Sequence, residues 1–130
     1  LYGSEMPKIL LITYGRLFSF TAKACELLQQ KSYSVAVLKL NRIKPIEEEA
    51  YQAAEQAVSI YFFEEGMESG GIGEHFIAKL IQKGYRGRVF LRGIGDFFVR
   101  HASMEESLHD LGLDVESIFR TVIDEEGEPV

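Results

Sequence analysis

The chain has one cysteine, no tryptophan and three prolines among its 130 residues, and basic side chains are fewer than acidic ones. A single cysteine excludes an internal disulfide and suits a reducing compartment, so we expect a cytoplasmic protein. Lys and Arg number 14 against 20 Asp and Glu, a net charge of -6 that disfavours binding to a nucleic-acid backbone. No apolar run approaches the roughly 18 residues of a membrane span. Neither nucleic acid nor a membrane is therefore an expected partner.

Residue patterns for a self-contained active site are also missing. The histidines, His75, His101 and His109, form neither an HxxxH nor an HExxH spacing, so no metal site is predicted. Glu64 and His75 flank the same loop and could form a pair. Such a carboxylate–histidine pair can transfer protons, but it is more often a structural hydrogen bond. Cys25 lies on the apolar face of a predicted helix, which is typical of a buried and unreactive thiol. We predict no catalytic, cofactor-binding or metal-binding residue.

Apolar runs of strand length alternate along the chain with segments of helical periodicity. The predicted strands are 8–14, 34–40, 58–63 and 88–92, and the predicted helices are 17–30, 46–56, 72–83, 104–111 and 115–122. Residues 2–5 are a further candidate strand that would pair antiparallel at an edge. This alternation predicts one α/β domain with a mostly parallel sheet, helices on both faces and right-handed crossovers.

Three predicted helix ends rest on local signals. Ser103 and Glu106 fit a capping box, which predicts a helix start at Met104. Gly112 is a stop signal for that helix, and Asp114 would cap a separate last helix.

The start of the second helix carries a different signal. Pro45 can occupy the first turn, and residues 47–49 are three glutamates placed where the helix dipole favours negative charge. A solvated turn matched to the dipole is the favoured interpretation of these carboxylates.

Residues 58–80 combine a buried strand, a glycine-rich loop and an amphipathic helix. Glycines before a helix can cradle phosphate, but Phe76 stands where a dinucleotide-binding loop needs glycine, and a P-loop lysine is missing. Four carboxylates would repel a phosphate: Glu64, Glu65, Glu68 and Glu74. We favour the interpretation that these glycines permit close packing at a helix start. A small-anion site remains the alternative interpretation.

The segment 93–103 has a different character. Phe97, Phe98 and Val99 are too apolar for a free loop, while Arg100 and His101 add local positive charge. The segment either docks on a partner or folds over the core of its own domain, and both interpretations are open.

Three segments carry a resemblance to a known family. FFEEGMESGGIGEHF, residues 62–76, resembles the Glu-x5-Gly-Gly-x-Gly segment of the transketolase C-terminal domain. LKLNRIKPIEEE, residues 38–49, is similar to the turn into a helix that precedes it in the family. GIGDFFVRHASMEESLHDLGLDVESI, residues 93–118, resembles the branch formed by the 1-deoxy-D-xylulose-5-phosphate synthases. The resemblance extends from about residue 8 to residue 123.

The resemblance implies a fold and an enzyme. The fold would be a three-layer α/β/α sandwich on a five-stranded sheet with one antiparallel strand. The enzyme would be a transferase that uses thiamine diphosphate and magnesium, bound between two domains that precede this one. In the synthase branch it joins pyruvate and glyceraldehyde 3-phosphate into 1-deoxy-D-xylulose 5-phosphate and CO2, for isoprenoid and thiamine synthesis.

The resemblance also implies a role for residues 1–130. They would be one C-terminal domain of a longer chain, inactive alone, that binds no cofactor and organises a homodimer with the N-terminal and middle domains. The predicted domain or subunit contacts are Glu64, Gly70, Gly71, Gly73, Asp96, Phe97, Arg100 and His101. The alternatives are a regulatory module that binds a small anion and a subunit of a split transketolase.

Overall fold

The computed structural model describes residues 2–3, 6–41, 46–65, 71–94 and 104–128. Its elements are β1 (Tyr2–Gly3), β2 (Ile9–Tyr14), α1 (Leu17–Gln30), β3 (Val35–Leu40), α2 (Glu48–Glu55), β4 (Ser59–Glu65), α3 (Ile72–Gln82), β5 (Arg88–Ile94) and α4 (Met104–Glu126). The strand order is β1-β3-β2-β4-β5, in which the four longer strands are parallel and the two-residue β1 pairs antiparallel with β3. The predicted mostly parallel sheet with an antiparallel edge strand is confirmed.

Strands β2 and β4 lie side by side inside the sheet and are buried on both faces, which explains why each contains an unbroken apolar run. Successive side chains point to opposite faces: Leu11 and Tyr61 face one core, and Leu10 and Phe62 face the other. Helices α1 and α4 cover the first face, and α2 and α3 cover the second. The predicted three-layer α/β/α arrangement is therefore also confirmed.

The prediction of two separate helices after residue 103 is wrong. Helix α4 runs without a break over 23 residues and passes through Gly112 and Asp114. A glycine inside a helix costs only about 1 kcal/mol relative to alanine. Further along α4, Ile118 and Val122 are fully buried against α1 and the sheet, and such packing outweighs a local stop signal. The predicted start at Met104 is confirmed, and the capping residue Ser103 lies outside the described residues.

Helix α2 begins two residues later than predicted. Glu47 takes the N-cap position, and Glu48 and Glu49 lie exposed in the first turn, as the dipole argument predicted. Glu48 also accepts a 2.7 Å hydrogen bond from Lys83 at the end of α3, and this bond lowers the pKa of the Glu48 carboxyl. Pro45 was predicted to lie in the first turn but falls outside the described residues.

Helices α1 and α3 end in the same backbone motif with different residues at its left-handed position. In α3, Gly84 (φ 101°) donates to Ile81 O and Tyr85 donates to Leu80 O, which is the Schellman pattern. In α1, Ser32 (φ 73°) and Tyr33 make the equivalent bonds to Gln29 O and Leu28 O. Ser32 thus holds a conformation that favours glycine.

Side chains from the sheet and from the segment before β3 hold the end of α4. The buried Tyr61 hydroxyl of β4 donates a hydrogen bond to Glu126, and Arg88 of β5 lies 3.4 Å from the same carboxylate. Tyr33 donates to the carbonyl oxygen of Gly127. These bonds hold the helix end at the amino edge of the sheet.

Candidate functional site

The candidate site lies at the carboxyl ends of β2 and β4. From β2 the chain crosses to β3 on one side and then to β4 on the other, so these neighbouring strands form the point where the strand order reverses. Open α/β sheets bind ligands at this position. Tyr14 is the last residue of β2, and Glu64 is the penultimate residue of β4.

Glu64 turns its carboxylate inward to the start of α3. Its Oε1 accepts a 2.8 Å hydrogen bond from the backbone N–H of Gly73 and a 3.3 Å bond from the Tyr14 hydroxyl. The residue is only 3% exposed. Its Oε2 atom is buried without a hydrogen-bond partner in the part of the chain that the structure describes. The carboxylate therefore links β2, β4 and the first turn of α3.

The glycines at the start of α3 leave room for this carboxylate and for the core beneath it. A Cβ atom on Gly71 would lie 2.5 and 2.6 Å from the two carboxylate oxygens of Glu64. A Cβ on Gly73 would lie 2.5 Å from Leu91 Cδ1 and 2.7 Å from Phe62 Cδ1. The prediction of close packing at a helix start is confirmed for Gly71 and Gly73, and Gly70 lies outside the described residues.

The structure brings together three of the predicted contact residues, Glu64, Gly71 and Gly73. The other five lie outside the described residues: Gly70, Asp96, Phe97, Arg100 and His101. Contacts within the chain account for the burial of Glu64 and Gly73, and their role toward another domain remains a prediction.

The candidate pair of Glu64 and His75 is not formed. His75 is exposed on α3, and the hydrogen bonds to the Glu64 carboxylate within the described ranges come from Gly73 and Tyr14 instead.

Sequence reasoning missed Tyr14. Its position as the last residue of a buried strand was visible, but its partner depends on β2 lying beside β4, which no local pattern encodes. A second bond joins the same strands, because Thr13 Oγ1 donates to Phe63 O at 3.0 Å. The Tyr14–Glu64 bond therefore lies next to a buried hydrogen bond between the same two strands.

The prediction for Cys25 is confirmed. Its side chain is fully buried, its thiol lies 3.7 Å from Val35 O, and burial raises the pKa of the thiol to about 11. Such a thiol is almost entirely protonated at neutral pH, so it is a weak nucleophile.

Two observations bear on metal and phosphate binding by the described residues. Within the described ranges, His, Cys, Asp and Glu side chains do not gather in a group of three that could hold a metal ion. A diphosphate needs free donors, but a carboxylate already occupies the start of α3 and would repel it.

Within the described ranges, none of the helices has the length and apolar character needed to cross a membrane.

Two curated relatives of the chain share one name. The chain is 31% identical over 114 residues to the 1-deoxy-D-xylulose-5-phosphate synthase of Shouchella clausii (strain KSM-K16), covering 87% of this chain and 18% of the relative. It is 30% identical over 122 residues to the 1-deoxy-D-xylulose-5-phosphate synthase of Thermosynechococcus vestitus (strain NIES-2133 / IAM M-273 / BP-1). This match covers 93% of this chain and 19% of the relative. The chain thus spans less than a fifth of the length of these relatives.

A solved structure and a family profile agree on the fold. The chain superimposes on a "split gene transketolase, inactive beta4 tetramer" with a TM-score of 0.73 and 20% sequence identity, over 93% of this chain and 40% of that chain. Residues 2–118 match the family described as "Transketolase, C-terminal domain". The chain therefore belongs to the transketolase C-terminal domain family.

Proposed function

We propose that this chain is the C-terminal domain of a 1-deoxy-D-xylulose-5-phosphate synthase and that it organises the enzyme without supplying catalytic groups. The full-length protein would be a cytoplasmic homodimer that uses thiamine diphosphate and magnesium. It would join pyruvate and glyceraldehyde 3-phosphate into 1-deoxy-D-xylulose 5-phosphate and CO2. The shared name of the curated relatives and the fraction of their length that the chain matches support this proposal.

The burial and the hydrogen bonds of Glu64 are the observations that support an organising role for this chain. This carboxylate lies where an α/β sheet would place a ligand-binding or catalytic group. Its Oε1 instead accepts bonds from Gly73 and Tyr14, and the carboxylate has almost no exposure to solvent. Glu64 therefore acts as a structural tie between the sheet and α3.

The proposed contact residues follow two neighbouring strands in the sequence. Residues 66–70 follow β4 and residues 95–103 follow β5, and these strands pair in parallel up to Glu65 and Ile94. Strands β4 and β5 therefore end at neighbouring positions on the carboxyl edge of the sheet. We propose that Gly70 from the first segment, and Asp96, Phe97, Arg100 and His101 from the second, contact the preceding domains or the second subunit.

An assay of the isolated chain tests the absence of catalytic groups. The chain is mixed with pyruvate, glyceraldehyde 3-phosphate, thiamine diphosphate and Mg²⁺, and the Shouchella clausii synthase serves as the positive control. We expect product from the control alone. Turnover by the isolated chain above a heat-inactivated sample would contradict the proposal.

A subunit of a split transketolase is the second candidate function. It is kept because the sequence raised it and because a split-gene transketolase chain has this fold, although at 20% identity that likeness supports the fold alone. In that case the missing domains would reside on a separate polypeptide. Purification of the native protein from its source distinguishes the candidates, because the synthase assignment predicts one long polypeptide and the split assignment predicts two kinds of subunit.

A further inference from the structure

We propose that Glu64 is a resident anion: its carboxylate fills an anion site at the start of α3, and removal of the side chain opens that site to a small free carboxylate such as formate. The proposal goes beyond the role of the chain in an enzyme. It concerns one of the two alternatives raised by the sequence, a module that binds a small anion, and it predicts that the unmodified turn binds none.

The start of α3 has the features of an anion site. The helix is 11 residues long, and its first N–H groups lack partners within the helix and carry the positive end of the dipole. A side chain at the N-cap normally accepts from the second or third helical N–H. The N-cap residue here is Gly71, which has no side chain, and Glu64 accepts from the N–H of Gly73 in its place.

The space is shaped for one carboxylate group. The Gly73 N–H and the Tyr14 hydroxyl both donate to Oε1. Both carboxylate oxygens lie so close to Gly71 that a Cβ atom on that residue would overlap them. Oε2 has no hydrogen-bond partner within the described ranges, although the residue is 97% buried. Formate is a free form of the planar carboxylate that Glu64 places here, so it can accept from the same two donors once the Glu64 side chain is removed.

Thermal unfolding of Glu64→Ala with added sodium formate tests the proposal, with sodium chloride at the same ionic strength as the reference. We expect the variant to melt below the unmodified chain. Formate at about ten times its Kd should then raise the Tm of the variant by about 3–6 °C. The unmodified chain should show no such rise. A folded Glu64→Ala variant that responds equally to formate and chloride would overturn the proposal.

Two further measurements separate site filling from a general salt effect. Glu64→Gln fills the same space with a neutral group, so formate should not raise its Tm above the chloride reference. An equal rise in Glu64→Gln and Glu64→Ala would overturn the proposal. If Glu64→Ala does not fold, the Gly73 amide resonance of the unmodified chain is followed during titration with inorganic phosphate. A saturable shift would contradict a filled site, and an unchanged resonance agrees with it.

Discussion

A Cβ atom placed on Gly71 would lie 2.5 Å from Oε2 of Glu64, so the absence of a side chain at one position permits the buried carboxylate at the other. Gly71 has φ -92° and ψ -177°, an extended conformation open to any residue. Space and not backbone strain therefore requires glycine here. This relationship accounts for a glutamate and a glycine seven positions apart in the same sequence segment.

Gly71→Ala should destabilise the chain by about 1–3 kcal/mol, because the new methyl group displaces the Glu64 carboxylate from the start of α3. In a Glu64→Ala background the same substitution should be neutral or slightly stabilising, since the obstructing oxygens are gone and alanine restricts the unfolded chain. Urea unfolding of the two single variants and the double variant measures the coupling. Additive effects would show that Gly71 and Glu64 do not interact as described.

The two Schellman motifs predict opposite effects of substitution at equivalent positions. Ser32→Gly should stabilise the chain by about 0.5–1 kcal/mol, because Ser32 holds φ 73° and glycine adopts this conformation without a Cβ clash. Gly84→Ala should destabilise it by about 1 kcal/mol for the same reason. Chemical denaturation measures both changes, and the same sign for the two substitutions would contradict the described helix ends.

Tyr61 should make the chain sensitive to alkaline pH. Burial, and then the hydrogen bond to Glu126, raise the pKa of this phenol above its ordinary value of 10.0. A raised pKa in the folded state means that this contribution to stability is complete below about pH 10 and is lost as the pH rises further. Tyr61→Phe removes the ionisable group, so its free energy of unfolding should fall less steeply above pH 10. Equal slopes for the two proteins would contradict this account.

Cys25 should react slowly with thiol reagents while the chain is folded. The thiol is fully buried, and burial raises its pKa from 9.0 to about 11, so both access and the thiolate fraction are low at pH 8. Labelling with an aromatic disulfide reagent should be at least tenfold faster in denaturing urea than in buffer. Equal rates would show that the α1 face carrying Cys25 is open to solvent.

The parts of the fold that could be predicted from sequence are those encoded locally or by burial on both faces. Strands β2 and β4 lie in the middle of the sheet, so their side chains are apolar on both faces and their sequences stand out. The continuity of α4 could not be predicted, because Gly112 signals an end locally while the packing of Ile118 and Val122 depends on distant residues.

The candidate site divides in the same way. The sequence marked Glu64, Gly71 and Gly73 as members of one motif, since they lie in one short segment. It did not reveal that the carboxylate bonds to the Gly73 amide, because that depends on how the turn after β4 folds back. Tyr14 was missed because its contact with Glu64 spans 50 positions and depends on the strand order.

A chimeric enzyme tests the central claim most directly. In it, this chain replaces the matching C-terminal segment of the Shouchella clausii synthase, which is 31% identical over 114 residues. We predict a soluble chimera that forms 1-deoxy-D-xylulose 5-phosphate, while the relative truncated before that segment does not. A chimera that folds and assembles like the parent enzyme but shows no turnover would contradict the assignment of this chain as the C-terminal domain of a synthase.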